Sequence, residues 1–435
     1  MLFLYNLILV FASQVVKLLA IFSPKMKLFV DGRKEIFTIL QNKIAATDKT
    51  IWFHAASLGE YEQGLPVIEK IKIKFPNHKI VVTFFSPSGY EVRKNNTVAD
   101  ATVYLPLDTK ANAKKFIQAI HPELVFFIKY EYWPNYLNEL QKLNIKTYLI
   151  SGIFRENQAF FKGYGGFYRN ALKTFDYFFV QNESSKKLLQ SIGFNNVKIS
   201  GDTRFDRVVS ILERDNSLDF IEQFRGSSPA LGKTITVVIG SSWPKDENLL
   251  VNYINNAPDN VKFIIAPHNI KSEQIQELKN SITKKTILFS DVETRFIASS
   301  NKQSIQNTET RLITSLREYN VFIIDTIGIL TKIYSYADIA YVGGGFGTAG
   351  LHNILESATF GVPIIIGPNY SNFAEAIALV HQEGCVSVSN SNELFEALDN
   401  LISNEDIRHE KGHICTTFVQ MNKGATEVIL KHLEN

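Results

Sequence analysis

The residues able to do chemistry in this chain of 435 residues fall just after short apolar runs. His54-Ala55-Ala56-Ser57-Leu58-Gly59-Glu60 ends in a carboxylate where a helix should begin. Two readings fit Glu60. A helix macrodipole favours an acid in its first turn by about 0.3–1 kcal/mol, and a carboxylate beside backbone opened by Gly59 can serve as a general base. The loop Ser86-Pro87-Ser88-Gly89-Tyr90 reads either as a capped turn or as hydroxyls and amides holding an anion at a helix start. Lys129-Tyr130-Glu131-Tyr132-Trp133-Pro134-Asn135 offers Glu131 as a binding carboxylate, with Pro134 as ordinary first-turn chemistry. Gly201-Asp202-Thr203-Arg204 supplies a cation, whose plain alternative is a surface ion pair.

Farther along, Gly240-Ser241-Ser242-Trp243 lacks the GK[ST] of a phosphate-binding P-loop. Ala266-Pro267-His268 closes another apolar run, where a histidine suits a ligand contact. The richest segment runs from Gly343 to Glu356 and contains Gly345-x-Gly347-x-x-Gly350, with Phe346 and Thr348 between. That spacing formally matches a dinucleotide fingerprint, but the acid wanted about 20 positions on does not appear until Glu375. Glycine amides at a helix N-terminus still bind phosphate, and Asn353 and Glu356 share one helix face at i, i+3, where the carboxylate can accept from ribose hydroxyls. A nucleotide site is the economical expectation.

These residues need strands to carry them to one edge. Runs rich in Val, Ile and Phe predict strands near 51–54, 79–84, 102–105, 124–128, 146–150, 176–180 and 197–200, separated by helical patterns at 62–74, 109–120, 133–143 and 184–192. After a polar stretch the rhythm restarts, with strands near 234–240, 261–266, 286–290, 321–325, 339–343, 362–367 and 385–389. Strand and helix in regular succession mean parallel sheets covered on both faces. The expected fold class is α/β, with two doubly wound Rossmann-like domains and a ligand beyond the carboxyl ends of their strands, in the cleft they face. The expected division is a membrane anchor helix at 1–24, a first domain at 25–212, a linker at 213–233 and a second domain at 234–435, whose last helix can pack back on the first.

Only two cysteines occur, Cys385 and Cys415, which excludes a disulfide scaffold and a Cys-rich zinc module. The net charge is +3, but residues 1–34 alone carry +4, leaving −1 for residues 35–435. A body so close to neutral has no basic stripe with which to release counterions from nucleic acid. The first 23 residues hold one charge, Lys17, and as a helix would reach about 33 Å, enough to cross a bilayer. The basic residues follow this apolar run instead of preceding it, unlike a secretory signal. Asn6, Gln14 and Lys17 leave open a helix lying in the interface. If the segment spans, Lys25, Lys27, Arg33 and Lys34 should face the cytoplasm and add attraction to anionic headgroups.

In this order and spacing, HAASLGEYEQGLPVI, SPSGYEVRK, YLPLDT, EYWPN, GDTRFD, GSSWPKDE, APH and the GGGFG…HNILE segment resemble the 3-deoxy-D-manno-octulosonic acid (Kdo) transferases of lipopolysaccharide synthesis. The resemblance runs over nearly the whole chain. It implies a GT-B fold and an inverting glycosyltransferase of the Gram-negative inner membrane, its catalytic domains on the cytoplasmic face. The donor would be CMP-Kdo and the acceptor a lipid A precursor, with no cofactor, no metal and no nucleic acid. Residue by residue, it implies catalytic roles for Glu60, Glu131 and Arg204. Ser242, His268, Gly345, Phe346, Gly347, Thr348, Asn353 and Glu356 would bind the donor nucleotide, and Ser57, Gly59, Ser86 and Ser88 the acceptor or an anion. Two positions depart from the family pattern: Lys129 stands where an acid is usual and Ile153 where an arginine is usual, with Arg155 two residues on. Rival expectations are another GT-B glycosyltransferase using a different nucleotide sugar, a nicotinamide oxidoreductase resting on the glycine fingerprint, and a non-catalytic sugar sensor at the membrane.

Overall fold

The computed structural model describes residues 2–226, 234–292, 316–348 and 350–434. Its contacts divide the chain into two compact units, Met1–Arg207 with Asn422–Asn435, and Val208–Met421. In the first, seven strands form one parallel sheet: β1 Lys49–Ala55, β2 His78–Phe84, β3 Ala101–Tyr104, β4 Pro122–Ile128, β5 Lys146–Gly152, β6 Tyr177–Val180 and β7 Val197–Ile199, in the order β3-β2-β1-β4-β5-β6-β7. The second unit repeats the plan with β8 Ile235–Ser242, β9 Val261–Pro267, β10 Thr286–Leu288, β11 Val321–Ile323, β12 Ile339–Val342, β13 Ile364–Ile366 and β14 Cys385–Ser387, in the order β10-β11-β9-β8-β12-β13-β14. Every expected strand has its counterpart. The near-continuous apolar runs exist because the inner strands are buried on both faces, whereas the edge strands β7 and β14 are partly open.

Strand alternation sorts the first core into two layers. Ile51 and Phe53 pack with Phe126 and Ile128 on one face, and Phe53 stacks on Phe126 at 4.7 Å. Trp52 faces the other way, among Phe116, Phe127 and Tyr136. Both sheets reverse their strand order beside the first strand, between β1 and β4 in one and between β8 and β12 in the other. Loops on either side of such a switch point splay apart and leave a crevice at the strand carboxyl ends. Glu60 follows β1 and Glu131 follows β4; Ser242 and the glycine loop occupy the equivalent places in the second unit.

Two expectations need adjustment, those for the linker and for Arg33. The units part at Arg207/Val208, and the stretch expected as a linker contains the helix Asp219–Arg225, whose Ile221 and Phe224 are buried. Residues 227–233 of that stretch lie outside the described residues. The helix Ala425–His432 belongs to the first unit, where Ile429 is fully buried beside Ile51 and Phe179. Arg33, expected to help attract headgroups, is instead built into the protein. Its guanidinium donates to the carbonyls of Phe29, Leu105 and Phe85 at 2.8, 3.0 and 2.7 Å and lies 3.6 Å from the centre of the Phe29 ring. Burial lowers its pKa to about 10.

One side chain ties the two distant pieces of the first unit together. Asp206 accepts from the backbone N–H of Gly424 and from the N–H and hydroxyl of Thr426, at 2.7 and 2.8 Å for the latter pair, capping the start of the final helix. Losing a carboxylate cap costs about 0.5–2 kcal/mol. Asp206→Ala should therefore destabilise the first unit by about 1–2 kcal/mol, read as a lowered urea midpoint; an unchanged midpoint would mean that the final helix is held by packing alone.

Candidate active site

Glu60 sits in the first turn of the helix Leu58–Lys74 and is 4% exposed. Its Oε2 accepts from the backbone N–H of Ala56 and, at 3.1 Å, that of Ser57. Those two bonds favour the carboxylate, as does nearby Lys129, yet they are outweighed. Burial, followed by repulsion from Glu131, raises the pKa of Glu60 to about 7. A carboxylate poised there is half ionised near neutrality, which is what a general base requires. Gly59 precedes it with open space where a side chain would stand.

Glu131 is held by residues that strand register brings together. His54 pairs across β1 and β2 with Thr83, and its Nδ1 lies 2.8 Å from Thr83 Oγ1. His54 Nε2 lies 3.3 Å from Glu131 Oε2, which also receives the Trp133 indole N–H at 2.8 Å. Trp52 donates to the same Thr83 hydroxyl at 2.8 Å. All four bonds are satisfied if Thr83 donates to Nδ1 and the imidazole carries its proton on Nε2. The result is a buried relay from Trp52 through Thr83 and His54 to Glu131. His54 was missed in the sequence because it lies inside an apolar strand; its alternation with Thr50 and Trp52 is the signal that could have placed it on this face.

Arg204 follows β7, and its Nε and Nη2 both meet Asp202 Oδ2 at 2.8 Å. Asp202 is nearly buried and is held in turn by Gln63 at 2.7 Å, on the helix that carries Glu60. Lys129 adopts φ +72°, a left-handed conformation uncommon for a lysine, while its N–H bonds to Ile150. Burial, and after it the proximity of Arg204, lowers the Lys129 pKa, with Arg155 contributing in the same direction. The position that departs from the family pattern therefore adds a cation to this group. Ser86 and Ser88 are less available than expected, since their hydroxyls lie 2.9 Å apart and Ser86 accepts from the Ser88 N–H as a helix cap.

In the second unit the expected nucleotide residues gather at the ends of β8, β9 and β12. His268 stacks on Trp243 at 4.5 Å and on His352 at the same distance. The Trp243 indole donates to His352 Nε2 at 3.0 Å. Burial, with His268 adding repulsion, lowers the His352 pKa to about 4, so that ring is neutral near pH 7. The loop that follows β12 is organised by Asp246, a fully buried carboxylate absent from the sequence expectations. Asp246 accepts from the N–H of Trp243 and of Gly344 at 2.9 Å each and from Tyr341 at 2.8 Å. It read as an ordinary first-turn acid after Pro244; nothing local announces its partners about a hundred residues on.

The glycine loop itself differs from the expected phosphate cradle. Among the described residues the next helix is a single turn, Leu355–Ala358, so Gly345 and Gly347 stand well before a helix start instead of at it. The loop is shaped by Gly344 at φ +94° and Gly350 at φ +89°, and a side chain on Gly345 would meet Gly367 at 2.8 Å. Phe346 is half-buried and Thr348 exposed. Asn353 donates to Glu356 at 3.1 Å, and Thr331 donates to the other Glu356 oxygen at 3.1 Å. Ser242 is buried with its hydroxyl on Glu247 at 2.8 Å, so its side chain supports the loop. Among the described residues no group of His, Cys, Asp or Glu could hold a metal ion.

Because Glu131 raises the pKa of Glu60, removing its charge has a defined sign. Glu131→Gln should lower the Glu60 pKa below about 7, followed by isotope-edited infrared titration of the carboxylate. A pKa that stays in place would assign the whole shift to burial.

Residues 31–207 match a family model described as 3-deoxy-D-manno-octulosonic-acid transferase. The chain is 29% identical over 398 residues to the 3-deoxy-D-manno-octulosonic acid transferase of Chlamydia trachomatis serovar D, covering 88% of this chain and 86% of that one. To the enzyme of the same name from Rickettsia bellii it is 25% identical over 368 residues, covering 83% and 82%. Among solved structures it shares its fold with UDP-GlcNAc 2-epimerase from Neisseria meningitidis, with a TM-score of 0.56 and 14% identity over 89% of this chain and all of that one. With two doubly wound sheets of the GT-B type and these relatives matched over most of its length, the chain is similar to the Kdo transferases, a class of glycosyltransferase.

Proposed function

We propose that this enzyme moves Kdo from CMP-Kdo to a lipid A precursor with inversion at the anomeric carbon, working at the cytoplasmic face of a Gram-negative inner membrane. The observation that carries this reading is Glu60, a buried carboxylate at a sheet switch point with a pKa raised to about 7. CMP is already a good leaving group, so the protein's tasks are to hold the nucleotide and to take a proton from the acceptor hydroxyl. With Oε2 occupied by two backbone amides, Oε1 of Glu60 is the atom that receives the proton. As it does so, the acceptor oxygen bonds the anomeric carbon and the bond from that carbon to the CMP phosphate breaks. Arg204 and Lys129 supply positive charge for the substrate's acidic groups. Glu131, oriented by His54 and Trp133, keeps Glu60 basic enough to act near neutral pH.

In the second unit, the Trp243–His268–His352 stack, the loop Gly343–Thr348, Asn353 and Glu356 are the groups proposed for the donor nucleotide. Glu356 keeps its orientation through Thr331 and Asn353, which suits an acceptor of ribose hydroxyl bonds. Residues 2–23 supply apolar surface for a membrane that carries the lipid acceptor. No cofactor enters the reaction as proposed.

Incubation with CMP-Kdo and a lipid A precursor, followed by mass spectrometry of the lipid, tests the reaction; an unmodified lipid beside intact donor would refute it. In the same assay Glu60→Gln should lower turnover by about 10²–10⁴-fold with CMP binding nearly intact. Wild-type turnover should rise with pH through about 7, because only the ionised base accepts a proton, and the variant should lose that limb. Turnover within threefold of wild type would remove Glu60 as the base. Glu356→Ala should weaken CMP binding by about 1.5–3 kcal/mol, measured by calorimetry, and an unchanged dissociation constant would leave Glu356 a purely structural residue.

A further inference from the structure

The apolar helix Leu2–Leu19 exposes large apolar side chains and turns several of its polar ones toward the protein, unlike a helix on a water-facing surface. Its half-buried side carries Tyr5, Asn6 and Ser13 beside Leu9, Ala12 and Val16, while Phe3, Leu7, Phe11 and Leu18 are exposed, Phe3 by 82% and Phe11 by 72%. No residue of this helix is buried. The inward polar groups are attached to the first unit: Tyr5 donates to Asp108 at 2.7 Å, and Asn135 donates to Asn6 at 2.9 Å. Beyond the helix end, Phe22 is 80% exposed, and the next helix, Pro24–Asp31, turns Phe29 onto Phe85 at 5.3 Å beside the buried Arg33. Both ends of the apolar helix are thus fastened to one body.

A crossing helix cannot satisfy that geometry. From Tyr5 to Leu19 is about 21 Å at about 1.5 Å per residue, so in a span Tyr5 would lie deep in or across a hydrocarbon core about 30 Å thick. Asp108 and Asn135, which Tyr5 and Asn6 hold, belong to the water-soluble body at the other end. We propose that residues 2–31 lie in the plane of the membrane interface, with the stripe Phe3, Leu7, Phe11 and Leu18 in the lipid, and do not cross it. The occupant of this surface is an anionic phospholipid bilayer. Lys17, Lys25 and Lys27 are exposed along the same arm and the first acid in the chain is Asp31, so the arm is purely cationic over its first 30 residues.

The placement matters for the reaction. Asp108 also caps the helix Pro134–Lys142 through the N–H groups of Asn135 and Tyr136 at 3.2 and 3.0 Å, one residue beyond Trp133. Phe29 reaches the same place through Phe85, which packs on Trp133 at 4.6 Å. An arm in the membrane plane therefore holds the loop of Glu131 at the lipid surface. This inference rests on the membrane association proposed above and specifies its geometry.

Single cysteines in the full-length protein decide it: Phe3→Cys, Phe11→Cys and Leu18→Cys, each carrying an environment-sensitive fluorophore, with Ile73→Cys as an aqueous control and the unsubstituted chain as background for its two buried thiols. The probe is a vesicle of phosphatidylethanolamine and phosphatidylglycerol, with lipids spin-labelled at graded depths and an external aqueous quencher. The expected result is one shallow depth and equal access from outside for all three arm positions, with no quenching by the spin-labelled lipids and full access to the aqueous quencher at position 73. Position 11 deep with position 3 shielded from the external quencher would establish a span and overturn the proposal. If no label responds to vesicles, membrane association itself fails, while CMP binding and Kdo transfer to detergent-dispersed acceptor stay as independent readouts of the catalytic assignment. Blue-shifted fluorescence without vesicles, together with a dimer in sedimentation, would assign the stripe to a second copy of the chain instead.

Discussion

Two carboxylates buried close together set the terms for the first unit. Burying a charge without compensation is expensive, and here the compensation is divided unevenly. Glu131 receives an indole and an imidazole, whereas Glu60 receives only two backbone amides and the field of Lys129. Burial and the neighbouring Glu131 then raise the Glu60 pKa to about 7 against the pull of its two amides. Trp52, Thr83, His54 and Trp133 are then more than core residues, because each fixes the orientation of the next polar atom toward Glu131.

The second unit uses a buried acid for the opposite purpose. Asp246 occupies the same place in its helix as Glu60 does, three residues past the cap, and likewise accepts from the cap backbone. Its remaining bonds, to Gly344 and Tyr341, saturate it. A fully satisfied carboxylate rigidifies a loop; an under-satisfied one takes up protons. One local motif thus holds a saturated carboxylate in one sheet and a carboxylate with a raised pKa in the other.

The strands were legible because burial on both faces writes an apolar run that needs no alternation to be recognised. The post-strand rule then reached Glu60, Glu131, His268 and the glycine loop, since parallel topology brings every such loop to one edge. What escaped the sequence depends on partners far away in the chain. Arg33 looked like one member of a basic cluster, yet its carbonyl acceptors at Phe85 and Leu105 lie 52 and 72 residues later. His54 read as strand interior, Asp246 as a helix start, and the one-turn helix after the glycine loop as a full one. Periodicity reports which face a residue occupies, and says little about which polar atom waits on that face.

The final helix, packed in the first unit against the helix Leu58–Lys74, has a consequence for synthesis. Asp206 must wait for Thr426, 220 residues later in the chain, which at about 5–20 residues per second is roughly 10–45 s of translation. The second unit, one uninterrupted stretch from Val208 to Met421, leaves the ribosome entire before the first can close. The apolar leading helix emerges earlier still, while the body that should receive Tyr5 and Asn6 is unfinished. Birth order therefore runs against domain order: the apolar helix emerges first, the second unit is completed next, and the unit that carries Glu60 is sealed only when Thr426 has been made.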